Sequence, residues 1–319
     1  MRATCHRSSV QRRYCSGVMS LSHVAAMVLW VLAAFLPLLL ALGSREFMLT
    51  VNSYREQPVV TPTDQVLCLL EGTRNGSGQP LALVHTTFPE GVRKLYSNES
   101  LRNASVKAFS SDVNGDGIAE SVHLEIAMQL STNEVVRQAT VVVVLDYTLK
   151  SYAKLNIDVL ALYRHSSSFG GDMLYVDGDL DFLQRNPLEI TDSMQRPYID
   201  SPIVNMTNTT QEMLLQSLVS GYRQRNYTTN FHAPYAIWTP NANSSEDIRV
   251  FRVLMNIRID AVDVLYTPEW PEIVKYAWIQ YYCIFIAVST LVMILREYIF
   301  AHRLLPSVCV VDELKSKNI

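Results

Sequence analysis

Two stretches of this chain carry no charge and are each as long as a lipid bilayer is thick. Residues 24–42 (VAAMVLWVLAAFLPLLLAL) and 277–295 (AWIQYYCIFIAVSTLVMIL) both number 19. At the helical rise of 1.5 Å per residue each covers about 29 Å, against about 30 Å of hydrocarbon. A helix satisfies its own backbone hydrogen bonds, so runs of this kind cross lipid as helices. Trp30, Trp270, Trp278, Tyr281 and Tyr282 suit the interfaces. Pro37 predicts a kink or the last turns of the first helix. Ala41-Leu42-Gly43 resembles a signal cleavage site, and cleavage there would leave a single-pass protein. A 19-residue run exceeds the roughly 7–15 residues of a signal core, so the expectation is a retained helix.

Charge sets the expected orientation. The first 20 residues hold Arg2, Arg7, Arg12 and Arg13 and no acid, which places them in the cytosol. Residues 21–295 carry 19 basic against 27 acidic side chains, a balance suited to translocation. Seven N-x-S/T sequons (Asn75, Asn98, Asn103, Asn205, Asn208, Asn226 and Asn243) all lie between the apolar blocks. With 16 asparagines and about 15% Ser plus Thr, chance supplies about two or three. Sequons are glycosylated on exposed lumenal turns, so their clustering marks a translocated domain. The resulting plan is a cytosolic N-terminus (1–20), a transmembrane helix (21–43), a lumenal or extracellular glycosylated domain (44–274), a second helix (275–296) and a cytosolic tail (297–319). Cys68 alone falls in the translocated part, so no disulfide is expected within it; in the run VLCLL it reads as a small core residue.

The translocated part reads mainly as β-strand. Val122, Leu124, Ile126, Met128 and Leu130 alternate with polar neighbours, as do Phe251, Val253, Met255, Ile257 and Ile259. Residues 139–145 (ATVVVVL) lack alternation, the mark of a strand buried on both faces. Further strands are expected at 65–70, 81–87, 155–163 and 173–176, with turns at 72–80, 166–171 and 239–245. One helix is expected: Thr209 and Glu212 form a capping box, followed by Leu214, Leu215, Leu218 and Tyr222. The fold class is thus a mainly β, antiparallel sandwich-like domain with one helix, tethered by two transmembrane α-helices.

The sharpest chemical signal is Asp112-Val113-Asn114-Gly115-Asp116-Gly117-Ile118-Ala119-Glu120. Oxygens from Asp112, Asn114, Asp116, the Ile118 carbonyl and Glu120, with Gly117 to turn the chain, match a hard-oxygen Ca²⁺ loop. His123 stands where an EF-hand has its bidentate Glu, and a strand follows directly. The loop is either a structural calcium site or a tight Asx/Gly hairpin turn that binds nothing. Otherwise the expected cofactor is none. No Gly-rich phosphate loop, G-x-S-x-G or H-E-x-x-H occurs. His85, His123, His165 and His232 are isolated, and Asp177 and Asp179 read as turn residues, so no catalytic or cofactor-binding residue is assigned. The acidic balance excludes nucleic acid, and no small-molecule substrate is expected. Neither apolar block carries an ionisable residue in its middle, so one copy does not form a pore.

Several short motifs, in order over residues 24–300, resemble the transmembrane protein 231 family. They are Ser53-Tyr54-Arg55-Glu56-Gln57-Pro58, the Asp112–Glu120 loop (Glu120 replacing an Asp), and Leu174-Tyr175-Val176-Asp177-Gly178-Asp179-Leu180. Tyr222-Arg223-Gln224-Arg225-Asn226-Tyr227-Thr228-Thr229, Ile237-Trp238, and Lys275-Tyr276-Ala277-Trp278-Ile279-Gln280-Tyr281 complete the set. Asn205 and Asn226 fall where the family has sequons, whereas the first 20 residues and the tail beyond Arg303 depart from its pattern. The resemblance implies a non-enzymatic subunit of the tectonic-like (Meckel-syndrome) complex at the ciliary transition zone. That assembly helps form the barrier to membrane-protein diffusion between cilium and plasma membrane, and supports ciliogenesis. Its implied partners are tectonics, B9-domain proteins and other transition-zone membrane proteins, besides membrane lipid. Two rival readings fit the same layout: an accessory glycosylated subunit of a transporter or flippase, and a calcium-dependent surface receptor.

Overall fold

A computed structural model describes residues 11–15, 20–44, 47–74, 78–203, 213–240, 249–306 and 308–312, the first and last of these as backbone. In chain order the elements begin with β1 (Gln11–Cys15), α1 (Leu21–Gly43), β2 (Asn52–Glu56), β3 (Val59–Arg74), β4 (Pro80–Thr86) and α2 (Glu90–Lys94). There follow β5 (Ala104–Ser111), β6 (Ser121–Leu130), β7 (Glu134–Leu149), β8 (Leu155–Gln184), β9 (Leu188–Glu189) and α3 (Leu214–Arg223). The last are β10 (Tyr227–Pro240), β11 (Arg249–Arg258), β12 (Val262–Thr267), α4 (Trp270–Ala301) and β13 (Val308–Asp312). The chain divides into a β domain, Val51–Thr267, and a unit made of both ends, Met1–Thr50 with Pro268–Ile319.

In the unit of the two ends, Ser20 caps α1 by accepting the His23 N–H at 3.4 Å. Pro37 neither stops nor splits this helix, which runs on to Gly43. Leu29, Ala33, Pro37 and Ala41 recur every four residues and so share one face, and that buried face meets α4. The remaining surface is apolar and bare: Trp30, Phe35 and Leu39 on α1, and Leu291, Met293 and Ile294 on α4. Such a surface is costly in water and suited to lipid. α4 has 32 residues and a length of about 48 Å, longer than a bilayer core. Its uncharged section between Lys275 and Arg296 is the part that matches hydrocarbon. Ser22, fully buried, donates to the Pro306 carbonyl at 2.8 Å. β1 and β13 pair antiparallel from Gln11↔Asp312 to Cys15↔Val308, so the two ends of the chain meet.

The β domain is built on one long sheet, ordered β4-β3-β7-β8-β11-β6-β5 with β10 beside β8. β8 organises it. Residues 155–171 of this strand pair with β7, residues 173–179 lie between antiparallel β10 and parallel β11, and the pairing with β10 runs on to Gln184. The stretch 166–171, expected as a turn, is therefore continuous strand at the place where β8 changes partners. The sheet's two end strands curl toward each other. The Val84 N–H donates to the Ser100 carbonyl at 2.8 Å, and the Arg102 N–H donates to the Val84 carbonyl at 2.9 Å, just before β5. This makes a nearly closed barrel, the sandwich-like expectation realised as one sheet folded over its own inner face. A smaller sheet, β2-β12-β9, adds Tyr54 and Tyr266, whose rings lie 5.6 Å apart.

Alternation explains what fills each side. Cys68, Leu70, Val141, Val143, Ile126, Met128, Val253 and Met255 point into the barrel and are at most 2% exposed. The intervening Leu67, Leu69, Val142 and Val144 point outward, where Phe88, Val92, Leu214, Leu218 and Tyr222 on and around α2 and α3 cover them. Residues 139–145 lack alternation because both faces of β7 are covered. The expected helix is α3, with Leu214, Leu218 and Tyr222 buried; Thr209 and Glu212 lie outside the described residues, and one-turn α2 was not foreseen. The Tyr222 hydroxyl ties α3 to the sheet by accepting the N–H groups of Leu160 (3.2 Å) and Thr229 (2.6 Å).

Cys68 sits on β3 inside the barrel, 1% exposed, where burial pushes its thiol up to about 12. Thiolate is the reactive form, so the folded chain keeps this sulfur inert. With the other four cysteines replaced by serine, Cys68 is expected to resist maleimide at pH 8 and to react fully once the chain is unfolded. Labelling of the folded protein within minutes would place Cys68 outside the core.

Candidate functional site

The loop of residues 112–120 joins β5 to β6 at one end of the sheet. The hairpin closes with the Glu120 N–H donating to the Ser111 carbonyl at 3.0 Å. Inside it, the two Asp112 carboxylate oxygens accept the N–H groups of Gly115 (2.7 Å) and Gly117 (2.8 Å). Asn114 Oδ1 accepts the Asp116 N–H at 2.8 Å, and Asp116 Oδ1 accepts the Ile118 N–H at 2.7 Å. Gly115 and Gly117 have φ of +75° and +86°, the left-handed region that a Cβ disfavours, so glycine permits these two sharp reversals.

The consequence is convergence. Carboxylate oxygens of Asp112, Asp116 and Glu120 all lie within 4.8 Å of one another. Glu120 Oε2 accepts the Val113 N–H at 2.6 Å, whereas its Oε1 is buried and has no hydrogen-bond partner among the described residues. Asn114 is tied to the same cluster, its Nδ2 donating to Asp116 Oδ2 at 3.0 Å. Asp112 and Asp116 are exposed and Glu120 is half-buried. In water, like charges at that distance repel by only about 1 kcal/mol per pair, so the turn network holds the cluster together by itself. Three converging carboxylates could coordinate a divalent ion, and an all-oxygen donor set suits a hard cation rather than zinc. Of the five ligands expected from the motif, Asp112, Asp116 and Glu120 thus come together, with Asn114 hydrogen-bonded to them and Ile118 holding its N–H on Asp116.

The other candidate residues are spread over the domain. Asn98, Asn103 and Asn226 are exposed, as sugar attachment requires; Asn75, Asn205, Asn208 and Asn243 lie outside the described residues. His85 accepts the Ala104 N–H at 3.2 Å through Nδ1, His123 stacks on Phe109 and His165 stacks on Trp238. Each of the three is occupied in packing. Asp177 and Asp179, expected in a turn, lie within β8 and face Arg258, whose Nε is 2.8 Å from Asp179. One buried polar group left no trace in the sequence pattern: Arg249, 8% exposed on β11, pairs with Asp172 and donates to the Glu134 carbonyl at 3.2 Å.

A family model described as Transmembrane protein 231 matches residues 1–309, which takes in the N-terminal segment that the motifs alone left outside the resemblance. The chain is similar to Transmembrane protein 231 of Xenopus tropicalis, 27% identical over 93% of this chain and 92% of that one. It is 28% identical to the Homo sapiens protein of the same name, over 94% and 92%. The Gallus gallus protein is 28% identical over 86% and 82%. A solved proton-activated chloride channel aligns with 88% of the chain at 8% identity and a TM-score of 0.28, too low to carry an argument.

Proposed function

Because this chain belongs to the transmembrane protein 231 family and is a two-pass membrane protein, we propose that it is a non-enzymatic subunit of the tectonic-like complex at the ciliary transition zone. It helps there to form the barrier to membrane-protein diffusion between cilium and plasma membrane, and supports ciliogenesis. Tectonics, B9-domain proteins and other transition-zone membrane proteins are its partners. Both termini are cytosolic, and the β domain with its seven sequons is lumenal or extracellular. The observation that carries this reading is the family match along residues 1–309, which includes both apolar helices and the domain between them.

In chain order the β domain, Val51–Thr267, stands between the two apolar helices and is joined to the unit that holds them at both of its ends. A tagged chain in ciliated cells tests the reading. A signal confined to the ciliary base, with tectonics and B9-domain proteins recovered by proximity labelling, agrees with it. Even staining of the plasma membrane or Golgi refutes it and favours a transporter's helper subunit.

The Asp112–Glu120 loop holds calcium as a structural clip on the β5–β6 hairpin. Extracellular modules bind calcium with dissociation constants of about 10⁻⁴–10⁻³ M. At 1 mM calcium such affinity stabilises the folded state by about 0.4–1.4 kcal/mol. Wild-type protein is expected to melt at higher temperature in calcium than in chelator, and Asp112→Ala/Asp116→Ala to melt alike in both. Identical wild-type melting in the two conditions would show the loop to be a bare turn.

A further inference from the structure

α1 and α4 do not close on each other along their whole length. Between them lies a groove of about 230 Å³, walled by Trp30 and Ala33 on one side and Phe285, Ser289 and Met293 on the other, with Arg296 at its end. Small residues make the space: Ala33 and Ser289 stand where larger side chains would fill it. Trp30 and Met293, at 58% and 59% exposure, leave the groove open to the surroundings of the helix pair.

Arg296 is the first charge after twenty uncharged residues of α4. Helical side chains lean toward the N-terminus, here back toward the hydrocarbon, and the guanidinium lies 5.9 Å from the Trp30 ring. Among the described residues no carboxylate stands within ion-pair distance of it. A guanidinium at the edge of hydrocarbon is poorly hydrated, and its planar fork matches a phosphate. The groove therefore offers apolar walls that end in a cation with no counter-ion among the described residues.

We propose that this groove is a binding site for an anionic glycerophospholipid, whose acyl chain lies between α1 and α4 and whose headgroup phosphate pairs with Arg296. Phosphatidylserine is the representative ligand. In a zwitterionic lipid the headgroup cation cancels the phosphate charge, whereas in phosphatidylserine the carboxylate offsets the ammonium and leaves a net negative headgroup for Arg296, so the site prefers net negative charge. A partner's transmembrane helix, about 10 Å across, could enter so small a space only by a ridge of side chains, and would leave Arg296 without its anion. The inference goes beyond the ciliary reading and does not depend on which compartment holds the β domain.

Photo-crosslinking tests it with the full chain in phosphatidylcholine nanodiscs. In parallel samples these contain phosphatidylserine or phosphatidylcholine probes with the same diazirine-bearing acyl chain. The phosphatidylserine probe is expected to label residues lining the groove about fivefold more than the phosphatidylcholine probe. Arg296→Gln should lower its labelling to the phosphatidylcholine level, while Arg303→Gln leaves the preference intact. Ser289→Trp, which fills the groove, should suppress both probes there. Equal labelling of the wild type by the two probes overturns the proposal without reference to any variant. So does labelling spread evenly around both helices, or labelling that Ser289→Trp leaves unchanged.

Discussion

Gly72→Ala is expected to prevent the β domain from folding, although it adds a single methyl group. Gly72 lies in β3 beside a register shift against β7. A Cβ at this position would stand 1.9 Å from the Val135 carbonyl oxygen and 2.9 Å from its carbon. Both obstacles are backbone atoms of the neighbouring strand, so no rotamer change relieves the clash, and the ladder between β3 and β7 must open. Overpacking relieved by side-chain movement costs about 1–3 kcal/mol. Loss of a central strand pairing exceeds that and consumes a large share of the 5–15 kcal/mol typical of a domain. The control is Gly78→Ala: with φ at +63° and nothing within 4 Å of its Cβ, it should cost about 1–2 kcal/mol. Thermal melting of the full chain in detergent, together with limited proteolysis, compares the two. Gly72→Ala melting within a few degrees of wild type would refute the close approach of β3 and β7.

Phe251→Ala should have the next largest effect. Phe251 is 1% exposed on β11, which lies between β8 and β6, and its ring centroid lies 5.5 Å from that of Trp238 on β10. Truncation of a buried phenylalanine costs about 3–5 kcal/mol through lost transfer energy and the cavity left behind. Leu254, half-buried on the opposite face of the same strand, should cost about 1 kcal/mol or less on the same change. Similar losses for the two variants would contradict the assignment of the inner face. The pair therefore tests which side of β11 faces into the barrel.

These two positions also show which parts of the fold were legible in sequence. β6 and β11 have one face toward the core and one toward solvent, so their residues alternate and both strands stood out. β7 was recognisable for the opposite reason, since the helix-side cluster and the barrel interior take its two faces and leave a continuous apolar run. Glycine misled. Gly170 and Gly171 suggested a turn, and Gly178 suggested another. In fact a Cβ on Gly171 would strike the Trp238 ring at 2.3 Å, and one on Gly178 would strike the His232 carbonyl at 2.4 Å. In β8 glycine allows neighbouring groups to come close; it does not reverse the chain. β5 and β10 carry exposed and mixed side chains, and β10 has Pro234 within a register shift, so neither shows a clear period.

The candidate metal loop was the part of the site most open to sequence reading. Its ligands are local in sequence, and the turn that gathers them is specified by the same Asp, Asn and Gly residues. Arg249 shows the opposite case. Its partners Asp172 and Glu134 lie 77 and 115 residues away, and only the folded sheet brings them together. The groove between α1 and α4 was hidden for a similar reason. Each helix alone reads as uniformly apolar, and the space appears only where Ala33 and Ser289 face each other.

A two-pass subunit of this kind places its β domain across the membrane from the two ends of the chain. Protease added to sealed microsomes with their cytosolic face outward tests this directly. The expected result is a protected fragment that contains the β domain and both helices, loses the two ends, and drops in apparent mass by several sugar chains after endoglycosidase. Digestion of the β domain from outside, with no mass change on removal of N-glycans, would contradict it.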